Sequence, residues 1–122
     1  MRSVLLITSR TSGAWGIPKG VVERGCTAEE TAKKEAWEEA GVEGYICGEL
    51  GSFTHEKWGG NCRVRVFQII FVRQCDEFPE RGYRHLAWLS PDVAAAAVAN
   101  AGLALLLRQI SMSPRPFQPK PT

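Results

Sequence analysis

The apolar and polar positions along the chain predict short strands on both sides of one helix. A continuous apolar run over residues 4–7, bounded by polar residues, predicts a buried strand over residues 3–8. Two further strands are predicted over residues 45–53 and 62–73, of which the second is long and rich in Val, Ile and Phe, and a third is predicted over residues 84–89. This order of elements favours an α/β or α+β sandwich.

The strongest helical signal covers residues 27–40. Thr27 precedes the first helical position and Glu30 stands three residues later, which is the spacing of a capping box. Gly41 follows the last helical position, where a left-handed cap favours glycine. The pattern therefore predicts a helix with a defined start and a defined end.

The C-terminal part of the chain divides into a helical region and a tail. A helical region rich in Ala and Leu starts after Ser90 and is broken near residues 100–102. Four prolines then punctuate a segment with little apolar content. We expect a single domain over residues 1–111 and a Pro-rich tail over residues 112–122.

Composition limits the classes of function. A chain of 122 residues with 44% apolar and 23% charged residues is typical of one globular domain. The net charge of +2 is too small for a general nucleic-acid or membrane-surface binder. No apolar run reaches the roughly 20 residues of a bilayer span, and the first residues lack the pattern of a signal peptide. We therefore expect a cytoplasmic protein with neither nucleic acid nor membrane as its partner.

An acidic trio occupies one face of the predicted helix. Glu35, Glu38 and Glu39 lie at i, i+3 and i+4, and neither Lys nor Arg follows any of them at i+4. Like charges at this spacing destabilise a helix by about 0.2–0.5 kcal/mol per pair. A hard divalent cation would reverse the repulsion, because Mg²⁺ and Mn²⁺ prefer oxygen ligands. The alternative is a solvated acidic face, and the spacing alone leaves both interpretations open.

The loop before the helix adds groups that could meet a phosphate. Gly20 and Gly25 bring the backbone close without side-chain bulk, and Lys19 and Arg24 add positive charge near the glutamates. Alone, such a turn is a weak signal, because most turns of this composition are ordinary loops.

Residues 20–42 resemble the Nudix box. That family pattern is Gly, five residues, Glu, seven residues, then Arg-Glu-aliphatic-x-Glu-Glu-x-Gly-aliphatic. Here Gly20 and the segment KEAWEEAGV at residues 34–42 keep every spacing. The flanking segment WGIPKG at residues 15–20, together with Trp88, is similar to small bacterial Nudix hydrolases related to diphosphoinositol polyphosphate phosphohydrolases.

The resemblance implies a fold, a reaction and residue roles. The fold would be a Nudix α/β/α sandwich with a mixed β-sheet between helices, and the reaction would be hydrolysis of a diphosphate linkage with Mg²⁺ or Mn²⁺. The metal ligands would be Glu35, Glu38, Glu39 and the backbone carbonyl of Gly20. The general base would be Glu38 or Glu39, with Glu56 or Glu80 as outside candidates.

Two positions depart from the family pattern. The family glutamate falls on Cys26, which supplies no carboxylate, and the family arginine falls on Lys34. Lys34 keeps the positive charge at this catalytic position but lacks the planar fork that braces a carboxylate. We expect reduced or shifted activity, and the alternative function is a catalytically weakened module that binds a nucleotide or polyphosphate as a sensor.

The expected substrate is a small molecule that contains a diphosphate: a nucleoside diphosphate derivative, a dinucleoside polyphosphate or a diphosphoinositol polyphosphate. The cations that chain position places near the site are Arg10, Lys19, Arg24, Arg63 and Arg65. By alternation, the last two share one side of a strand. Trp15 and Trp58 are candidates for stacking on a base.

The N-terminal strand raises a question of edges. Nudix relatives usually place one more strand before the segment that matches residues 3–8, and this chain begins at Met1. We expect either an unpaired sheet edge that a second copy covers in a homodimer, or a true start that lies upstream.

Overall fold

A computed structural model describes residues 3–57 and 60–112. The strands are β1 (Val4–Thr8), β2 (Trp15–Gly16), β3 (Val42–Lys57), β4 (Gly60–Gln74) and β5 (Leu86–Leu89). The helices are α1 (Ala28–Ala40), α2 (Pro91–Ala97) and α3 (Ala101–Met112). Strands lie on both sides of α1 in the chain, as expected, which confirms the α/β class.

Helix α1 is fixed at both ends. The Thr27 hydroxyl accepts a hydrogen bond from the Glu30 amide at 3.0 Å, and the Glu30 carboxylate accepts one from the Thr27 amide at 3.0 Å. Gly41 caps the other end with a φ of 70°. A Cβ at Gly41 would lie 2.5 Å from the Phe78 ring, so both conformation and space require glycine. The predicted capping box and glycine cap are confirmed.

The strands form two antiparallel sheets. One has the order β2-β1-β5 and the other is the β3-β4 hairpin. A groove of about 920 Å³, lined by residues of both β1 and β4, lies between them. The pairing therefore differs from the single mixed sheet that the resemblance implied, because no strand within residues 3–57 and 60–112 bridges β1 and β4.

Strand β3 is longer than the sequence pattern predicted. The pairing with β4 extends beyond the predicted residues 45–53 at both ends and passes through register shifts at Glu43/Gly44, Ile46/Gly48 and Glu49/Gly51. Such bulges bend a strand without ending it. As a result, the hairpin runs without interruption from Val42 to Gln74 apart from its tip.

The C-terminal helices close the core. The Ser90 hydroxyl caps α2 by accepting from the Val93 amide at 3.4 Å, and the Asn100 side chain caps α3 by accepting from the Leu103 amide at 3.0 Å. The predicted break therefore lies just before α3. Three leucines of α3, Leu103, Leu106 and Leu107, pack with Phe53 of the hairpin in the larger hydrophobic cluster.

A smaller cluster seats α1. Ala36 and Ala40 on α1 pack with Ile7 of β1 and Val42 of β3. Small residues let the helix lie close to the strands. This contact fixes the rotation of α1 about its axis and therefore the direction in which its other side chains point.

The remaining sequence predictions concern membrane spans, the C-terminal tail, Trp58 and the domain boundary. Among the described residues, no helix is long and apolar enough to cross a membrane. Residues 113–122 of the predicted tail lie outside the described residues, as does Trp58. The domain boundary at residue 111 stays a prediction.

Candidate active site

The C-terminal half of α1 carries the acidic trio in three different environments. The Glu39 side chain is only 5% exposed, whereas that of Glu38 is 30% exposed. Glu35, one turn before Glu39, is half-buried. The helix therefore places one carboxylate inside the protein and two at its boundary.

Glu35 and Glu39 lie one helical turn apart and interact with each other. Burial, above all, together with the hydrogen bond to Glu35, raises the pKa of Glu39 to about 8, against the opposing attraction of Arg84. Around neutral pH and without a metal ion, Glu39 therefore holds a proton that it donates to Glu35. A divalent cation bound between the two carboxylates would displace this proton.

Gly20 lies directly against Glu35. A Cβ at Gly20 would stand 2.4 Å from Glu35 Oε1 and 2.5 Å from Glu35 Cδ. The loop backbone can approach the carboxylate this closely only because glycine has no side chain. The predicted meeting of the loop with the acidic face is therefore observed at this position.

Two members of the trio have cationic partners, so the expectation of an unpaired trio was wrong for them. Lys34 Nζ lies 3.9 Å from Glu38 Oε1 and 4.0 Å from a Glu23 oxygen. The pattern missed the first contact because Lys34 precedes Glu38 by four residues instead of following it. It missed the second partner, Arg84 at 3.3 Å from Glu39, because the arginine comes from a distant segment.

Arg84 joins three elements at the buried end of the site. Its guanidinium contacts Glu39 Oε1 at 3.3 Å and Glu80 Oε1 at 2.9 Å, and it donates to the Thr8 carbonyl at 3.0 Å. The Glu80 amide also donates to the Glu38 carbonyl at 2.9 Å. Glu80, an outside candidate for the base, therefore lies at the site, whereas Glu56 is an exposed residue of β3.

The predicted phosphate-binding cations do not all gather there. Arg10 does, because Arg10 Nη1 lies 3.8 Å from Glu80 Oε1 and its guanidinium stacks 4.4 Å from the centre of the Tyr83 ring. Lys19 and Arg24 are exposed on the loop before α1.

Arg63 and Arg65 have their hydrogen bonds on the hairpin. Arg63 donates to Ser52 Oγ at 3.1 Å, and Arg65 pairs with both Glu49 oxygens, the shorter contact being 2.8 Å. Arg65 also lines the groove between the sheets. The predicted base-stacking residue Trp15 packs instead against the larger hydrophobic cluster.

The donor set fits a hard divalent cation in part. Carboxylate oxygens and a closely approaching glycine backbone are ligands of the kind that Mg²⁺ and Mn²⁺ prefer. Within residues 3–57 and 60–112, however, no three His, Cys, Asp or Glu side chains converge closely enough to hold one ion. Glu38 is directed toward Lys34, and this half-exposed pair at 3.9 Å is weak enough to be exchanged.

The sequence comparisons find relatives of this chain. The NUDIX domain family matches residues 1–110. Nudix hydrolase 18, mitochondrial, of Arabidopsis thaliana is 30% identical over 115 residues, which cover 89% of this chain and 65% of that protein. Nudix hydrolase 17, mitochondrial, of the same plant is 32% identical over 96 residues, covering 77% and 53%. The chain thus spans about half to two thirds of the length of these relatives.

Solved structures share the fold. A MutT protein from Bacillus halodurans matches with a TM-score of 0.69 at 25% identity, covering 93% of this chain and 76% of that one. A MutT protein from Methanosarcina mazei matches with a TM-score of 0.69 at 22% identity, covering 88% and 80%. An Ap4A hydrolase from C. elegans matches with a TM-score of 0.64 at 19% identity, covering 89% and 83%.

The contact between Gly20 and Glu35 predicts the effect of a single methyl group. We expect Gly20→Ala to push the Glu35 carboxylate aside and to weaken Mn²⁺ binding about tenfold or more, with little change in melting temperature. Titration of free Mn²⁺ by electron paramagnetic resonance measures the affinity. Gly16→Ala is the matched control, since a Cβ there meets no atom within 4 Å. Equal affinities for the two variants would contradict the assignment.

The raised pKa of Glu39 predicts how stability depends on pH in the presence of a chelator. Between pH 4.5 and about 8 the folded chain retains a proton that the unfolded chain has released, so the free energy of unfolding falls as pH rises. Each unit of pKa difference corresponds to about 1.4 kcal/mol. Urea unfolding across this range should show the fall in the wild type and in Glu29→Gln, but not in Glu39→Gln. An equal fall in Glu39→Gln would locate the proton elsewhere.

Proposed function

Because the chain belongs to the NUDIX domain family, we propose that it is a metal-dependent hydrolase that cleaves a diphosphate linkage in a small molecule. The observation that carries the proposal is that the carboxylates of Glu35 and Glu39 interact with each other, with Gly20 directly against Glu35. The two carboxylates share a proton, and the Gly20 backbone approaches one of them closely. A divalent cation bound in place of the proton would stabilise this site. The Glu80 carboxylate, held beside Glu39 by Arg84, adds further negative charge to this site.

Each residue at the site has a chemical task in this proposal. Glu35, Glu39 and the Gly20 backbone would hold Mg²⁺ or Mn²⁺, joined by Glu38 once it leaves Lys34. The ion would supply neutralisation of phosphate charge and a lowered pKa for the attacking water. Arg10 would bind a phosphate oxygen from the Glu80 side, because its guanidinium reaches the site by the 3.8 Å contact.

Glu38 is the best candidate for the general base. Glu39 is buried and Glu80 is engaged by two nitrogens of Arg84, at 3.0 and 2.9 Å. Glu38 is partly open to water, and its one ion pair within the described part of the chain is the weak pair with Lys34. A base must reach the water that it deprotonates, and among these three carboxylates Glu38 has the greatest freedom to do so.

The groove between the sheets favours a nucleoside among the three substrate classes. It lies beside the site, because Pro18 on the loop and Ala32 and Ala36 on α1 contribute to its wall. The wall is mainly apolar, and among the described residues that line it Arg65 is the single charged one. An apolar wall suits a base, whereas an inositol ring with several phosphates needs several cations. An Ap4A hydrolase is among the proteins that share the fold.

Turnover of a substrate panel tests this function. Nucleoside diphosphate derivatives, a dinucleoside polyphosphate and a diphosphoinositol polyphosphate are each assayed with Mg²⁺, with Mn²⁺ and with chelator. We expect turnover of a nucleotide in metal only, and a loss of at least about 100-fold in Glu38→Gln. Glu29→Gln, an exposed glutamate in the first turn of the same helix, is the matched control. Undiminished turnover in Glu38→Gln would refute its role as base.

The sensor function remains the second candidate because of Cys26 and Lys34. Cys26 is exposed and Lys34 contacts Glu38 through a single nitrogen. Binding of the panel without turnover in any metal would favour the sensor. In that case Cys26→Glu combined with Lys34→Arg should introduce hydrolysis.

Dimerisation and location are further proposals. Within the described residues each strand of the β3-β4 sheet has a strand neighbour on one edge only, which supports pairing with a second copy. Light scattering after size exclusion should then give twice the monomer mass, and a monomer at every concentration would contradict it.

We retain the cytosol as the proposed location, although the plant relatives are named as mitochondrial.

A further inference from the structure

Arg84 is the most densely bonded cation at the site, and the roles proposed above for the carboxylates do not use it directly. Its side chain is 14% exposed, against 56% for Arg81 three residues earlier. Nη1 donates to the Thr8 carbonyl at 3.0 Å, Nε donates to Glu80 at 3.0 Å, and Nη2 contacts both Glu80 and Glu39. All three guanidinium nitrogens are therefore engaged.

The segment that carries Arg84 is itself fixed to the sheet. The Thr8 amide donates to the His85 carbonyl at 3.0 Å, and the His85 amide donates to the Thr8 hydroxyl at 2.8 Å. Arg84 is thus anchored to the end of β1 through these contacts of His85, the next residue in the chain. Its position is set by the sheet and not by the carboxylates alone.

The two carboxylates that Arg84 contacts come from different elements. Glu39 belongs to α1, and Glu80 to the loop whose amide donates to the Glu38 carbonyl at 2.9 Å. Because the same Nη2 contacts Glu39 Oε1 and Glu80 Oε1, these two oxygens are held close together. Once Glu39 loses its proton, the two carboxylates would repel each other at this separation if no cation lay between them.

We propose that Arg84 is a positioning residue, which fixes the carboxylates of Glu39 and Glu80 in the orientation in which they face a bound divalent cation. This inference rests on the proposed metal-dependent function. The guanidinium contacts Oε1 of each carboxylate, and the other oxygen of each is left for the ion. Partners of this kind commonly affect metal affinity by 10- to 100-fold.

If Arg84 only neutralised negative charge at the site, its removal would change Mn²⁺ affinity in the opposite direction. A cation beside a metal ion repels it, so removal of a charge that only neutralised the site would tighten Mn²⁺ binding. A lysine would also replace such a charge. A positioning role requires the fork, which lysine does not have.

Mn²⁺ binding by electron paramagnetic resonance separates the two roles. We expect the dissociation constant to rise about tenfold or more in both Arg84→Gln and Arg84→Lys, and kcat to fall with little change in KM. Arg81→Gln is the matched control, because Arg81 pairs with Glu77 at the same i,i+4 spacing on the surface and should leave both quantities unchanged. Circular dichroism melts establish the folded fraction at the assay temperature.

Unchanged or tighter Mn²⁺ binding in Arg84→Gln, or wild-type binding in Arg84→Lys, would overturn the proposal. Where an Arg84 variant does not fold, Glu80→Gln keeps the arginine and should still weaken Mn²⁺ binding, and an unaltered affinity overturns the proposal equally. A wild type that neither binds Mn²⁺ nor hydrolyses a diphosphate contradicts the proposed function itself, and the Arg84 assignment fails with it. A wild type that does both, beside Arg84 variants that match it, contradicts only the positioning role.

Discussion

The burial of one carboxylate, that of Glu39, is the constraint on which the architecture of the site depends. Removing a charged group from water costs several kcal/mol unless partners compensate, and Glu39 is only 5% exposed. The protein compensates in two ways, through a proton shared with Glu35 and through the contact with Arg84. Each partner needs support in turn. Glu35 needs the open space at Gly20, and Arg84 needs the anchored segment beside β1. The buried carboxylate thus couples α1, the loop before it, the loop after β4 and the first sheet.

The orientation of α1 is what places Glu39 inside. A capping box at Thr27 and a left-handed cap at Gly41 fix where the helix begins and ends. Ala36 and Ala40 then bring it close to the strands. Glu39 lies beside this narrow contact face, so close packing of the alanines carries it into the interior. With α1 in this orientation, the Glu38 side chain is more exposed than that of Glu39 and can contact Lys34. Neighbouring glutamates on one helix thereby acquire different chemistry through a difference of one position.

The local features of the site were predictable from sequence, whereas the contacts between distant segments were not. The capping box, the glycine cap and the shared face of the trio depend on spacings of three or four residues, which a linear pattern records. Arg84 stands 45 residues after Glu39, and only the pairing of β1 with β5 and the adjoining His85 brings it to the helix. The Glu80–Arg84 spacing resembles an ordinary exposed ion pair, as Glu77–Arg81 in fact is. The bulges of β3 escaped prediction for a similar reason, because a register shift is defined only by the pairing with the partner strand.

The two departures from the family pattern have different weight once the contacts are known. Lys34 keeps a charge beside Glu38 but contacts it through one nitrogen, so it cannot orient the carboxylate as a planar fork would. A planar guanidinium is nonetheless present at the site in Arg84, where it holds Glu39 and Glu80. The bracing that the helix lacks at position 34 is thus found on the opposite side of the acidic cluster, on a segment tied to the sheet. The substitution at position 34 therefore leaves the buried half of the site organised and affects mainly Glu38, the carboxylate that has most freedom to move.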